Sequence, residues 1–182
     1  MVGRLTPFIA VAGIPGAGKT TLARGLCRAY EYTGLISTGD IARRVDPAGL
    51  AAGGLADEDS FRAGWDERMK AVAMGWRYVL DGIPRSRGQM DLLPDDTTLI
   101  VLTCRPDIAR DRLLRRGRED DEPDIVSRRI TEQSALLEVE HADGWLYTAA
   151  GWKRTINTSR KSPEDILIGV IDYLNGVRTE MF

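Results

Sequence analysis

Residues 13–20 read Gly13-Ile14-Pro15-Gly16-Ala17-Gly18-Lys19-Thr20, which fits the pattern G-x-x-x-x-G-K-[ST]. Glycines at these spacings let successive backbone N–H groups turn inward and cradle phosphate oxygens. The lysine reaches β- and γ-phosphates, and the Thr20 hydroxyl is suited to help hold Mg²⁺. A helix that begins at this point adds its N-terminal partial positive charge. Eight positions and both flanks agree, which sets aside a glycine-rich turn with no ligand. The expected contacts to ATP are Gly13, Pro15, Gly16, Ala17, Gly18, Lys19, Thr20 and Thr21. A nucleoside triphosphate is thereby expected, but the loop does not name the reaction.

Three further segments narrow the chemistry. Ser37-Thr38-Gly39-Asp40 is followed by Arg43. Asp81-Gly82-Ile83-Pro84-Arg85 is followed by Gln89. Arg112-Leu113-Leu114-Arg115-Arg116-Gly117-Arg118 runs into Asp120-Asp121, with Arg128-Arg129 beyond. Transfer between two phosphates gathers several negative charges, and its transition state spreads charge over the equatorial oxygens of the moving group. Catalysis then requires in-line positioning and preorganised positive charge. Arg43, Arg85, Arg116, Arg118 and Arg129 come from separate segments and supply it. The bland alternative for residues 105–129 is a salt-bridged, solvated helix face, which suits Arg110, Arg115 and Arg128.

Together with the phosphate loop, these segments resemble the adenylate kinase family of nucleoside monophosphate kinases, in the family's order, from about Phe8 to Leu174. The resemblance implies an α/β, three-layer α/β/α P-loop fold with about five parallel strands. It also implies a small acceptor arm, about 38–59, and a short lid, about 117–121, on a single domain spanning 1–182. It implies transfer of the ATP γ-phosphoryl group to a nucleoside monophosphate, with Mg²⁺ as cofactor and AMP ranked first. Lys19, Arg85, Arg116, Arg118 and Arg129 take the catalytic roles, and Arg116 also contacts ATP. The acceptor falls to Thr38, Gly39, Asp40, Arg43, Leu55, Ala56, Gly82, Arg85, Gln89, Arg118 and Arg129. Asp81 joins Thr20 at the metal, and Asp120 and Asp121 orient the lid arginines.

Two departures bear on the substrate. Only Glu119 separates Arg118 from Asp120, so the lid is shorter than in long-lid relatives. In the acceptor arm, Gly53-Gly54-Leu55-Ala56-Asp57 carries Ala56 and Asp57 where the family has valine and proline. Gln89 favours adenine, yet an amide can turn to serve other bases. A pyrimidine, deoxy or modified monophosphate therefore stands second, and a non-nucleotide acceptor third. A nucleotide-dependent switch is a different class of reading. A GTPase switch needs an N-K-x-D segment, which the sequence lacks, and an ATPase switch has no use for Arg43 and Arg85.

The elements that must position these residues alternate between strands and helices, the pattern of a parallel sheet covered on both faces. Phe8–Ala12 is a continuous apolar run suited to a strand buried on both sides, and Thr98–Leu102 is a strand candidate rich in β-branched residues. Leu35–Ser37, Arg77–Leu80 and Trp152–Ile156 are further short strand candidates. Helical spacing predicts helices over Thr20–Tyr30, Ser60–Met74, Pro106–Arg115, Pro123–Glu140 and Pro163–Leu174, the last with Ser162 as N-cap. Asp46–Asp59 and Gly117–Asp124 read as surface segments.

Composition sets the outer bounds. The 182 residues carry 25 Lys+Arg against 27 Asp+Glu, a net charge of −2. That balance predicts no bulk attraction to nucleic acid or an anionic membrane. Of the basic residues only Lys19, Lys70, Lys153 and Lys161 are lysines, and arginine forks match phosphate oxygens two at a time. Cys27, Cys104 and His141 are too few for a zinc site, and both cysteines are expected to be buried. No run approaches the roughly 18 apolar residues of a membrane span. A cytoplasmic monomer acting on small-molecule nucleotides is the expected setting.

Overall fold

A computed structural model describes residues 7–51, 54–117, 122–142 and 152–176. Five parallel strands form its centre: β1 (Phe8–Gly13), β2 (Thr33–Ser37), β3 (Arg77–Asp81), β4 (Thr97–Thr103) and β5 (Trp152–Asn157). Their order across the sheet is β2-β3-β1-β4-β5. The strand carrying the phosphate loop is therefore central, with Val11 opposite both Asp81 and Ile100. In β2 and β3, Ser37 stands beside Asp81, so the two acceptor-side segments leave the sheet together.

The two-residue period of a strand sorts side chains to opposite faces. Ile9 and Val11, Val79, and Ile100 and Leu102 enter one core cluster. Ala10 and Ala12, Leu80, and Leu99 and Val101 enter the other. On the first face lie α1 (Lys19–Ala29), α6 (Pro106–Arg116), α7 (Pro123–Ala142) and α8 (Pro163–Leu174). They contribute Leu22 and Leu26, Leu113, Val126 and Ile130, and Ile166 and Val170. On the second lie α2 (Thr38–Val45), α4 (Glu58–Met69) and the short α5 (Arg87–Met90), which contribute Ile41, Phe61, Trp65 and Met90. The result is the three-layer α/β/α arrangement expected from the sequence. Leu26 is fully buried, so its truncation to Ala would cost about 2–5 kcal/mol.

The structure departs from the sequence reading mainly between residues 38 and 59. Ser37 caps α2, its hydroxyl accepting from the Asp40 N–H at 3.2 Å. A five-residue helix, α3 (Pro47–Ala51), follows inside the stretch read as a surface segment. Asp46 holds it by accepting from the Gly49 N–H at 2.9 Å and from the Asp57 N–H at 3.0 Å. Helix α4 begins at Glu58 rather than Ser60 because Asp57 is its cap, accepting from the Ser60 N–H at 2.9 Å. It ends at Met69 rather than Met74, where the chain tightens into turns before Gly75 at φ +83°. The two cysteines are half-buried rather than buried, and pack on the rim of the first core cluster. No helix among the described residues is long and apolar enough to cross a membrane.

Candidate active site

The site opens where the strands end and the glycines begin. Gly13 is at φ +138°, and a Cβ there would collide with the Leu102 carbonyl oxygen. Gly16, at φ +78°, presses against the Ala109 carbonyl with as little room. Gly18 is at φ +95° and starts α1 without a side-chain cap. By contrast α2, α4 and α8 are capped by Ser37, Asp57 and Ser162. The first-turn N–H groups of α1 are thus left for a ligand.

Lys19 folds back over this loop. Its ammonium donates to the Gly13 carbonyl at 2.7 Å and to the Ile14 carbonyl at 2.8 Å. Burial lowers its pKa from 10.5 to about 7, helped by Arg85 and Arg116 and opposed by Asp81. The residue as a whole is half-buried and lines the cleft. Beside it the Thr20 hydroxyl donates to an Asp81 carboxylate oxygen at 2.7 Å. Asp81 itself is buried at the end of β3.

The second group of cations lies across Asp81. Arg85 donates from Nε to the Gly82 carbonyl at 2.9 Å. Burial pushes its pKa down, Asp81 opposes this, and Arg129 and Arg43 push it down further. Three guanidinium groups from α2, α7 and the turn after β3 therefore feel one another, a costly arrangement unless an anion joins them. In this structure Arg43 pairs with Asp40 at 2.5 Å. Arg129 donates to the Leu50 carbonyl of α3 at 2.9 Å. Gly82, at φ +91°, leaves room for this grip, since a Cβ there would stand 2.8 Å from the Thr38 hydroxyl and 2.9 Å from Arg85.

Both groups line one cleft of about 810 Å³, within the usual range for small-molecule sites. Pro15, Gly16, Ala17, Gly18, Lys19, Thr20 and Thr21 line it, with Asp81 and Arg116. Gly39, Asp40, Arg43, Leu55, Arg85 and Arg129 line it too. Four of the expected acceptor residues sit behind the lining. Thr38 is buried and its hydroxyl donates to the Asp81 carbonyl at 2.8 Å. Gly82 underlies Arg85, and Ala56 packs on the second core cluster. Gln89 is buried, and its side-chain oxygen accepts from the Arg85 N–H at 2.8 Å. Gly13 likewise supports the loop from beneath. Arg118, Asp120 and Asp121 lie outside the described residues.

The cleft also has walls that motif reading did not assign. Arg24 from α1, Arg112 from α6, and Lys161, Pro163 and Ile166 around the start of α8 line it. Glu132 and Gln133 from α7 do so as well. Arg112 belonged to the arginine run, so its type was visible but not its direction. Cations in the lining outnumber carboxylates, which are Asp40, Asp81 and Glu132. The cleft therefore suits a polyanion.

Residues 9–135 match a family model described as an AAA domain. An adenylate kinase from Leuconostoc mesenteroides is 30% identical, the alignment covering 90% of this chain and 96% of that protein. One from Oenococcus oeni is 32% identical over 77% of this chain and 87% of its own length. Among solved structures, an unliganded sugar kinase from Janibacter sp. HTCC2649 superposes with a TM-score of 0.69 at 18% identity. That superposition covers 96% of this chain and 99% of the sugar kinase, and it speaks to the fold alone. The architecture is that of a P-loop kinase. The chain belongs to the adenylate kinase family.

Proposed function

We propose that this protein is a nucleoside monophosphate kinase, moving the γ-phosphoryl group of ATP to a nucleoside monophosphate and releasing two diphosphates. The carrying observation is that two cationic groups face one cleft across Asp81. Lys19, Thr20 and Arg116 form the donor side; Arg43, Arg85 and Arg129 form the acceptor side. A simple ATPase has no use for the second group.

In this reading an acceptor phosphate oxygen attacks the γ-phosphorus, and the bond to the β-bridging oxygen breaks. The electron pair leaves with ADP. No covalent intermediate on the protein is needed. Lys19, Arg85, Arg116 and Arg129 neutralise the moving group, and Arg118 joins them from a short lid over 117–121. The arm over 38–59 holds the acceptor, and both belong to one domain.

Mg²⁺ fits the residues present. Among the described residues no group of three or more His, Cys, Asp or Glu side chains could hold a metal by itself. A hydroxyl and a carboxylate at 2.7 Å are instead the partial oxygen set that Mg²⁺ completes with water and substrate phosphates. Thr20 and Asp81 would hold it, and it would supply positive charge to offset that of the phosphates.

AMP ranks first as acceptor because the relatives matched over most of the chain are adenylate kinases. Gln89 favours a second reading. Its oxygen accepts from the Arg85 N–H, which sets the orientation of the amide and leaves its nitrogen as the donor to a base. That nitrogen can donate to adenine N1, but equally to a carbonyl of another base. The test is diphosphate formation from Mg-ATP with a panel of ribo-, deoxyribo- and base-modified monophosphates. Transfer to AMP above all others supports the first reading, and preference for an oxo base supports the second. ATP binding without transfer to any acceptor would overturn both.

A further inference from the structure

Thr158 follows β5 and is completely buried, outside the lining of the cleft. Its backbone N–H donates to the Thr103 carbonyl at 2.8 Å, and its hydroxyl donates to the same oxygen at 3.2 Å. The hydroxyl hydrogen is thereby spent, and a lone pair remains. Arg112 uses it: Nη1 donates to the Thr158 hydroxyl at 3.1 Å and Nη2 to the Thr158 carbonyl at 2.9 Å. Nη1 also lies 3.4 Å from the Gly16 carbonyl and 3.5 Å from Cys104 Sγ. One residue thus grips both outer nitrogens of the guanidinium, and the longer contacts steady it against the phosphate loop.

From this we propose that Thr158 is a positioning residue for the donor base. Its hydroxyl fixes the plane of Arg112 so that the guanidinium face forms one wall of the base subsite. The proposal rests on reading the Lys19 side of the cleft as the donor side. Arg112 on α6 and Pro163 and Ile166 on α8 line the same cleft as that loop. A guanidinium held along its edge keeps its flat face available, and that face stacks on planar rings. A donor base would stack on that face, whereas tripolyphosphate has no ring to stack.

The geometry provides a clean substitution. Thr158→Val keeps the shape and removes the hydroxyl. Thr103 still receives the Thr158 N–H, and the Thr158 carbonyl still holds Nη2. The hydroxyl's bonds to Nη1 and to the Thr103 carbonyl are lost while the backbone pairing of β4 with β5 is kept, and Thr158→Ser restores the hydroxyl. Titration calorimetry would compare Mg-ATP with magnesium tripolyphosphate, which lacks a base. The expected result is that Thr158→Val weakens Mg-ATP about ten-fold and tripolyphosphate less than two-fold, with Thr158→Ser close to wild type. Steady-state kinetics should show a raised KM for ATP with acceptor KM unchanged. Equal weakening of both ligands, or unchanged ATP binding, would overturn the role of Thr158. Wild-type protein that binds tripolyphosphate as tightly as ATP would instead overturn the donor-side reading beneath it.

Discussion

Lys19 should take up a proton when ATP binds, and the size of the uptake follows from its surroundings. Its pKa is lowered to about 7 by burial, with Arg85 and Arg116 adding to the effect. At pH 8 a group of that pKa is only about one-tenth protonated. Phosphate oxygens placed beside the ammonium favour its charged form and restore the proton. Uptake should therefore be about 0.9 proton per ATP at pH 8 and about 0.5 at pH 7. The terminal phosphate of the nucleotide, with a pKa near about 6, is already ionised at pH 8 and offsets little. Calorimetry in buffers of different ionisation enthalpy reads this number directly as a slope. By linkage, ATP affinity should fall about eight-fold per pH unit above pH 8. Lys19→Met should bring the slope near zero. A wild-type slope below about 0.2 at pH 8, or the same slope in the Met variant, would refute the reasoning. The sign for stability follows from the same shift. Between about 7 and 10.5 the unfolded chain holds more protons at this position than the folded one. Stability from this residue therefore rises with pH across that window, and its penalty is complete below it. Lys19→Met should raise Tm at pH 6 and have much less effect near pH 10.

Gly82→Ala should destabilise the protein by about 1–3 kcal/mol, because a non-glycine residue there is strained at φ +91° and crowds Thr38 and Arg85. It should raise the acceptor KM at least about ten-fold while leaving the ATP Kd within about two-fold, as kinetics and a urea melt would show. Asp81→Asn keeps an oxygen to accept from the Thr20 hydroxyl but removes the charge suited to a metal. The expected outcome is a much higher Mg²⁺ requirement for turnover with a near-normal melting curve; an unchanged Mg²⁺ dependence would remove Asp81 from the metal site.

The fold was legible where burial on both faces forces long apolar runs. Thr98–Leu102 and Phe8–Ala12 declare themselves as strands because every residue there needs an apolar neighbour. The acceptor arm was not legible for the opposite reason. Helix α3 has no buried residue, so it has no apolar stripe to read, and it is held by long-range contacts such as that of Arg129 to the Leu50 carbonyl besides the Asp46 carboxylate. The start of α4 had a signal in the Asp57-Ser60 spacing, but Ser60 competes as a cap of equal type. In the cleft, the phosphate loop could be read because backbone geometry fixes its spacing, and the Arg43 and Arg85 segments through their resemblance to the adenylate kinase family. Arg112, Glu132, Lys161 and Pro163 could not, because only packing brings α6, α7 and the start of α8 together. The bond from Arg112 to Thr158 spans 46 residues and leaves no local pattern.

The central claim is that this cleft places two phosphate groups so that one phosphorylates the other. Phosphorus NMR of Mg-ATP with the monophosphate panel follows the γ-phosphorus itself, in wild type and in Arg85→Ala. The account predicts that in wild type the γ signal is replaced by those of two diphosphates. In Arg85→Ala, ATP should still bind but the transfer should vanish. Appearance of inorganic phosphate alone in wild type, or undiminished transfer in Arg85→Ala, would contradict it.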